Sequence, residues 1–190
     1  MQFPWATRLV ITVSGHPSKR GWAQRALQRL REYLAPLGVS LNPEKTKMVD
    51  TLKGDAFSFL GFELRRVSRR RGKGYFILMT PKKAARLAIK AKIREIIQQA
   101  GATPLKEVTA RINRALAGWV NYFRCGHASR AFSDVRDYVE MKVRILLSRR
   151  KRRHKRGIGW RRWSNAYLYD VLGLFWDWKV RHLPNAESYK

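Results

Sequence analysis

The sequence is short of cysteine, of long apolar runs and of acidic residues. Cys125 is the only cysteine among 190 residues, which excludes a disulfide framework and a cysteine-based zinc site and suits a reducing compartment. No apolar run approaches membrane-spanning length, and the N-terminus lacks the basic-then-apolar pattern of a secretion signal. We therefore expect a cytoplasmic protein that does not span a membrane.

The shortage of acidic residues leaves a large excess of positive charge. Lys and Arg total 41 against 13 Asp and Glu, a net charge of +28, and most of that excess falls after residue 64. A hydrophobic content of 45%, with 12% aromatic residues, excludes a disordered polycation. Because a folded body this basic repels itself, we expect a polyanion to neutralise it. Nucleic acid is the expected partner, and an anionic membrane is the weaker alternative.

The first 80 residues alternate short β-rich runs with one amphipathic helix. Apolar residues from Gly21 to Leu37 recur at helical spacing, which predicts a helix that Gly38 closes and that packs on a sheet. Asn42-Pro43 signals a turn. The runs expected to form strands are residues 9–13, 46–49, 57–65 and 75–79, with a basic hairpin tip at 69–74 between the last two.

Three amphipathic helices are predicted after residue 80. The first runs from Pro81 to Ala100, and the second from Pro104 to Phe123 with Thr103 as its N-cap and Pro104 as its first residue. Ser129 is expected to cap the third helix. The apolar stripes at helical spacing are Ala85, Ile89, Ile93, Ile96 and Ala100; Leu105, Val108, Ile112, Leu116, Trp119 and Phe123; and Phe132, Val135, Val139, Val143 and Leu146. The aromatic segment from Ser164 onward is too apolar to stay exposed.

Polar and cationic side chains off the stripe of the second helix are candidate nucleic-acid contacts. Few acidic residues lie near them in the sequence, which favours phosphate contact over a merely solvated face. Trp119 and Phe123 are expected in the core because they lie on the stripe. The basic run at 149–156 is expected to add salt-dependent affinity without sequence information. The predicted RNA contacts are Arg111, Arg114, Asn121, Tyr122, Arg124, Arg149, Arg150, Lys151, Arg152, Arg153, Lys155 and Arg156.

Three blocks of the sequence resemble a known family. LNPEKTK (Leu41 to Lys47), FLGF (Phe59 to Phe62) and INRALAGWVNYFRCG (Ile112 to Gly126) resemble the C-terminal half of group II intron-encoded proteins. Members of that family are reverse transcriptases that also act as maturases. The resemblance runs from about Leu9 to about Arg181, and it includes neither the fingers nor most of the palm.

The resemblance implies an α+β fold in three parts. Residues 1–80 would be a remnant of the reverse-transcriptase palm, a short antiparallel sheet with a helix. Residues 81–150 would be the three-helix thumb, or maturase, bundle. Residues 151–190 would be a basic and aromatic tail that binds nucleic acid.

The resemblance also assigns roles to two groups of residues. Phe59, Leu60, Gly61 and Phe62 would form a primer-grip-like hairpin, for which a core strand is the structural alternative. Lys45 belongs to the motif that approaches the incoming nucleotide in the family. Its alternative role is that of a solvated turn residue beside Asn42-Pro43.

The catalytic motif of the family is not kept. In the family, Tyr-Ala-Asp-Asp precedes a run like LVITVSG, whereas here that run follows Trp5-Ala6-Thr7-Arg8. Polymerases need clustered carboxylates to hold two Mg²⁺ ions; a threonine binds such an ion poorly and an arginine repels it. We therefore predict no polymerase activity from this chain and no cofactor, with Mg²⁺ entering only through bound RNA or a complementing subunit. Cys125 and His127 lack a second pair of metal ligands.

Three functions remain open at this point. The first is an RNA-binding maturase that stabilises structured group II intron RNA for splicing, with target DNA as a further partner. The second is one part of an RNA-directed DNA polymerase whose fingers and catalytic palm belong to a partner chain. The third is the remnant of a truncated gene with no selected function.

Overall fold

The computed structural model describes residues 9–13, 21–70, 72–151 and 162–181, and it has an α+β fold, as predicted. A small antiparallel sheet precedes a bundle of three long helices. In chain order the elements are α1 (Gly21–Leu34), β1 (Ala56–Phe59), β2 (Phe62–Ser68), β3 (Tyr75–Pro81), α2 (Lys83–Gln98), α3 (Leu105–Phe123) and α4 (Ser129–Arg150). Short 3-10 turns at Ala35–Leu37 and Thr51–Lys53 and a π-helical turn at Tyr167–Val171 complete the described elements.

The sheet is a meander in the order β1-β2-β3. The predicted single strand 57–65 is wrong, because the chain reverses at Leu60 and Gly61, and Phe59 pairs with Phe62 across the turn. Leu60 has φ 45° and Gly61 φ 78°, the two positive values of a type I′ turn, whose twist matches that of the flanking strands. Leucine is uncommon at positive φ, so the sequence pattern did not reveal the reversal. The basic hairpin tip between β2 and β3 is confirmed, with Arg69 N–H donating to Gly74 O at 3.0 Å.

The core of the bundle consists of the three predicted apolar stripes. Ile93 of α2, Leu116 of α3 and Val135 of α4 are each 0% exposed. The prediction missed Val120, also 0% exposed, which joins Phe62, Phe123, Ala128 and Phe132 in a second cluster between the sheet and the bundle. α3 therefore contributes to both clusters, which makes it the central element of the fold.

The predicted helix caps are wrong in detail. Pro104 is the N-cap of α3, with ψ 140° outside the helix, and Ala128 is the N-cap of α4. Neither Thr103 nor Ser129 occupies the position from which a side chain satisfies the first free N–H groups. The N–H of Thr103 instead donates to Ala100 O at 2.8 Å, closing the α2–α3 turn.

The loop between α3 and α4 fastens the sheet to the bundle. Met79 N–H donates to His127 Nδ1 at 3.2 Å, and His127 N–H donates to Met79 O at 2.6 Å. A Cβ at Gly126 would lie 2.8 Å from Met79 O and 3.0 Å from the Phe62 ring. Glycine is therefore required at this position, because only its bare backbone fits between strand and loop.

The C-terminal segment 162–181 packs on the bundle, as its apolar composition predicted, although Val171 and Trp176 stay exposed. Trp163, Leu168 and Leu174 join the same core as α2, α3 and α4. Asn113 of α3 fastens the segment by two hydrogen bonds: its Nδ2 donates to Gly173 O at 2.7 Å, and its Oδ1 accepts from Phe175 N–H at 2.8 Å.

The N-terminal third departs most from prediction. Gly21–Leu34 and the following turn confirm the helix and its closure by Gly38 at φ 67°, but α1 buries none of its residues. Residues 9–13 and 46–49 are irregular rather than strands. A strand needs neighbours to take its backbone hydrogen bonds, and among the described residues only β1, β2 and β3 supply them to one another. None of the described helices combines the length and apolar composition that crossing a membrane would require.

Candidate nucleic-acid interface

Two of the sequence blocks, about 60 residues apart, meet at one end of α3. The Tyr122 hydroxyl donates to Leu60 O at 2.8 Å, and the rings of Phe62 and Tyr122 stack with centroids 5.9 Å apart. A Cβ at Gly61 would lie 3.4 Å from Cζ of Phe123, whose ring packs edge-on against Phe62 at 4.9 Å. The FLGF hairpin turn is therefore held by the aromatic end of α3.

Three of the four predicted primer-grip-like residues, Leu60, Gly61 and Phe62, take part in this contact. Phe62 is buried, so the core-strand alternative holds for it, while Leu60 is 52% exposed at the tip of the turn. Tyr122 keeps 49% of its surface exposed although its hydroxyl is engaged, and Asn121 is exposed beside it. The turn and these two side chains together form one surface at the C-terminal end of α3.

Arg124 does not lie on that surface. Its Nη2 lies 2.9 Å from Asp177 Oδ2, and only 11% of its side chain is exposed. Its backbone oxygen accepts from Arg181 N–H at 2.9 Å. The hydrogen bond from Arg124 lowers the pKa of Asp177 below its ordinary value. We inferred phosphate contact for Arg124 because few acidic residues lie near it in the sequence. That inference is wrong, because Asp177 pairs with it from 53 positions away. This arginine instead holds the C-terminal segment.

Arg114 has the surroundings expected of a phosphate contact. It is exposed on the outward stripe of α3, where Ala110 and Gly118 precede and follow it by one turn. A Cβ at Gly118 would meet nothing within 4 Å, so a ligand has open access to the helix there. No ion pair involves Arg114 among the described residues. Arg111, one turn before, is half-buried and donates to Gln99 of α2 at 3.5 Å, which orients it across the α2–α3 groove.

The predicted cations at the end of α4 have different surroundings. Arg150 Nη2 donates to three carbonyl groups of the α2–α3 turn, most closely to Thr103 O at 2.6 Å. Lys151 Nζ lies 5.0 Å from the Trp163 ring centroid, and Arg149 is exposed. Arg152, Arg153, Lys155 and Arg156 lie outside the described residues. Arg150 therefore has a structural role that the basic run did not reveal.

These contacts place the basic end of α4 and the FLGF turn at opposite ends of α3. Arg150 reaches the turn that precedes α3, and Tyr122 lies in its last helical turn. A helix of 19 residues is about 27 Å long. The candidate interface is thus an elongated cationic surface along α3, with Arg111 and Arg114 between its ends.

Comparison with protein families identifies part of the chain. The model of the group II intron, maturase-specific domain matches residues 86–167. The chain carries a group II intron maturase-specific domain. The match runs from the first turn of α2 to the start of the π-helical turn, so it contains α3 with Arg111 and Arg114 and the basic end of α4, but not the FLGF turn. It confirms the resemblance over residues 86–167 and supports a maturase role, and the LNPEKTK and FLGF blocks lie outside it. Comparison with curated proteins finds no match.

Within the maturase-specific domain, the acidic residues are largely paired with internal cations. Asp134 binds Lys90 at 2.7 Å and Arg86 at 3.4 Å, and Glu95 binds Lys92 at 3.1 Å. The hydrogen bond from Lys92 lowers the pKa of Glu95. Further exposed cations of α2, α3 and α4 have no ion pair among the described residues, and the prediction omitted them. They are Lys83, Arg94, Lys106 and Arg130.

A buried polar cluster of the domain was also missed. Arg144, only 3% exposed, donates to Trp163 O at 2.8 Å and to Glu140 Oε2 at 3.2 Å. Glu140 Oε1 accepts from the Tyr169 hydroxyl at 2.6 Å. Burial, and then the hydrogen bond to Glu140, raise the pKa of Tyr169, so its hydroxyl stays protonated and donates. The i, i+4 spacing of Glu140 and Arg144 was the available sequence signal.

The described residues hold no group of three or more His, Cys, Asp or Glu that is placed to bind a metal ion. Trp5 to Arg8, where the family has its catalytic carboxylates, lie outside the described residues. Lys45 is exposed on a turn in which Asn42 Oδ1 accepts from Glu44 and Lys45 N–H, at 2.9 and 3.2 Å. The turn prediction is confirmed, and the nucleotide-approach role stays a prediction.

Proposed function

We propose that this protein binds structured group II intron RNA through the cationic surface of α3 and stabilises its folded, splicing-competent state. The observation that supports this most directly is the match to a maturase-specific domain over the helices that carry unpaired cations. Arg114 and its neighbours would contact phosphates, and the tip of the FLGF turn with Asn121 and Tyr122 would contact the RNA at the far end of α3.

The proposed mechanism uses differential binding rather than protein catalysis. A protein that binds the folded RNA more tightly than misfolded forms shifts the population toward the folded state. The RNA supplies the splicing chemistry, and the protein supplies cations and a complementary shape. Because structured RNA is recognised largely through its shape and backbone, cationic helices suit this role. We also propose that the protein needs no cofactor and is located in the cytoplasm.

The architecture implied by the resemblance belongs to the same proposal. We assign residues 1–80 to a palm remnant, 81–150 to the thumb, and 151–190 to a nucleic-acid-binding tail. Because segment 162–181 shares the core of the bundle, the tail and the thumb would act as one body.

A splicing assay at limiting Mg²⁺ tests the proposal. We expect the full chain to raise the spliced fraction of a group II intron and to bind that intron more tightly than a length-matched unrelated RNA at the same salt concentration. Equal binding to both RNAs, with no gain in splicing at any protein concentration, would refute the maturase role.

One observation favours the second candidate, a part of a reverse transcriptase. The N-terminal third exposes many large apolar side chains, as expected of a palm face that needs a neighbour. They include Leu9, Ile11, Trp22, Tyr33, Leu37, Met48 and Leu52. Co-purification from the native host with a chain that carries the missing Asp-Asp motif, and primer extension by that complex, would support this candidate. Primer extension by the purified chain alone would contradict the predicted lack of polymerase activity.

A further inference from the structure

A surface concavity outside the cationic surface lies between α4 and the C-terminal segment. Its volume is about 580 Å³, within the range of small-ligand sites. Asp137 and Arg136 of α4 line one side, and Tyr169, Trp176 and Trp178 line the other. An aromatic, partly acidic site is unexpected in a chain with a net charge of +28.

Several side chains that line the concavity already make hydrogen bonds within the protein, and together they form its frame. Glu140 accepts from Tyr169 and Arg144, and Trp178 Nε1 donates to Phe175 O at 3.2 Å. This frame is buried or half-buried and holds the C-terminal segment against α4. The concavity is therefore a preformed feature of the fold.

Trp176 and Asp137 are exposed lining residues that a ligand can reach. Trp176 is 69% exposed, and its ring makes no ring contact among the described residues. The Asp137 side chain is 67% exposed, and its only described partner is its neighbour Arg136, at 3.4 Å. The concavity thus offers one large stacking face and one carboxylate that accepts hydrogen bonds.

We propose that this concavity binds an unpaired guanine base of the bound RNA, an inference that rests on the proposed function. Exposed tryptophan faces are platforms on which unpaired bases stack. The Asp137 carboxylate repels phosphate but accepts N–H donors, and guanine presents two adjacent donors, N1–H and N2–H, on its Watson–Crick edge. Adenine, cytosine and uracil each present on that edge one donor group next to an acceptor, so guanine is preferred. The surrounding positive charge attracts a polyanion and repels a cationic peptide, which favours RNA as the source of the ligand.

Four labelled pentanucleotides, UUGUU, UUAUU, UUCUU and UUUUU, test this proposal by fluorescence anisotropy with the full chain. Their charge is the same, so any difference in affinity reports base recognition. We expect UUGUU to bind most tightly. We expect W176A to weaken UUGUU binding about five- to 100-fold, and W176F to keep most of the affinity.

Asp137→Asn separates base recognition from bulk electrostatics, because the two predict opposite changes in affinity for UUGUU. Removing a negative charge from a polyanion-binding protein tightens binding if the carboxylate merely faces phosphates. If Asp137 accepts from guanine, the variant weakens UUGUU binding about five- to 100-fold and leaves UUUUU unchanged or tighter. Asp170→Asn, at another exposed carboxylate, is the matched control and is expected to weaken neither.

Equal affinity for the four pentanucleotides, or tighter binding of UUGUU by both D137N and D170N, would overturn the proposal. Preferential binding of an arginine-containing peptide, lost in W176A, would also overturn it, in favour of a protein ligand. Arg114→Gln tests the proposed function separately from the guanine site. If the proposed function holds, this variant weakens binding of structured intron RNA whether or not the concavity binds guanine.

Discussion

Asn113→Ala tests the attachment of the C-terminal segment to the bundle. The side chain makes two hydrogen bonds to backbone groups of that segment, at 2.7 and 2.8 Å. A neutral hydrogen bond contributes about 0.5–1.5 kcal/mol net, so the loss of both costs about 1–3 kcal/mol. For a chain of this size, each kcal/mol lowers Tm by about 2–4 °C, which predicts a decrease of roughly 2–12 °C.

Thermal unfolding followed by circular dichroism measures this decrease, and Asn121→Ala is the matched control. Asn121 lies on the same helix and is exposed, with no described hydrogen bond from its side chain, so its removal is expected to change Tm little. Asn113→Asp is expected to destabilise the protein as well, because its carboxylate cannot donate to the oxygen of Gly173. If Asn113→Ala and Asn121→Ala gave the same Tm, the two hydrogen bonds of Asn113 would contribute nothing measurable to the attachment of the segment.

Three further predictions concern the turn, the buried arginine and the basic hairpin. Gly61→Ala is expected to cost about 1–2 kcal/mol in chemical denaturation, because alanine is strained at φ 78°; an unchanged midpoint would contradict the type I′ turn. Arg124→Gln is expected to lower Tm and to remove a pH dependence of stability. Because the fold lowers the pKa of Asp177, the stability contributed by the Arg124–Asp177 pair is complete above the ordinary aspartate pKa. That contribution is lost as the pH falls through the lowered pKa. A Tm difference from wild type that persists unchanged at pH 2 would refute that linkage. Neutralising the β2–β3 tip is expected to leave Tm unchanged and to weaken RNA binding at low salt, and RNA affinity equal to wild type there would exclude the tip from the interface. The residues changed to Gln are Arg69, Arg70 and Lys73.

The periodic part of the fold was predictable from the sequence, because burial follows helical spacing. Ile93, Leu116 and Val135 were all expected in the core and are fully buried. Val120 was missed because the predicted stripe was continued from Leu116 through Trp119 and Phe123; its cluster joins Phe62 of the sheet to Phe132 of α4, a long-range contact. Periodicity within one helix reveals its buried face but not which elements cover each part of that face.

The candidate site was predictable only in part, for the same physical reason. Arg111, Arg114 and Arg124 look alike in the sequence, but Asp177 and the C-terminal segment pair with only one of them. The FLGF block and Tyr122 were each singled out, yet their contact depends on a Leu at positive φ, which no local pattern predicts. Residues that act through partners 50 or more positions away require the structure.

For α1 the error was the opposite one: we predicted a packing contact that the described residues do not provide. Its apolar spacing correctly predicted a helix, and we inferred from the same spacing that the helix packs on a sheet. The described residues provide α1 with no such sheet, and Tyr33 remains 74% exposed. An amphipathic pattern therefore reports that a helix has a face to bury, but not that this chain supplies the surface that buries it.

The salt dependence of RNA affinity tests the central claim most directly. We compare wild type, Arg111→Gln/Arg114→Gln and the control Arg25→Gln/Arg29→Gln on α1, which removes the same charge from exposed positions outside the matched domain. Each lost phosphate contact lowers the slope of log Kobs against log[KCl] by about 0.7–0.9. We predict a slope smaller by roughly 1.4–1.8 for the α3 variant on folded intron RNA, with the control close to wild type. Equal slopes for the two variants would contradict an interface along α3.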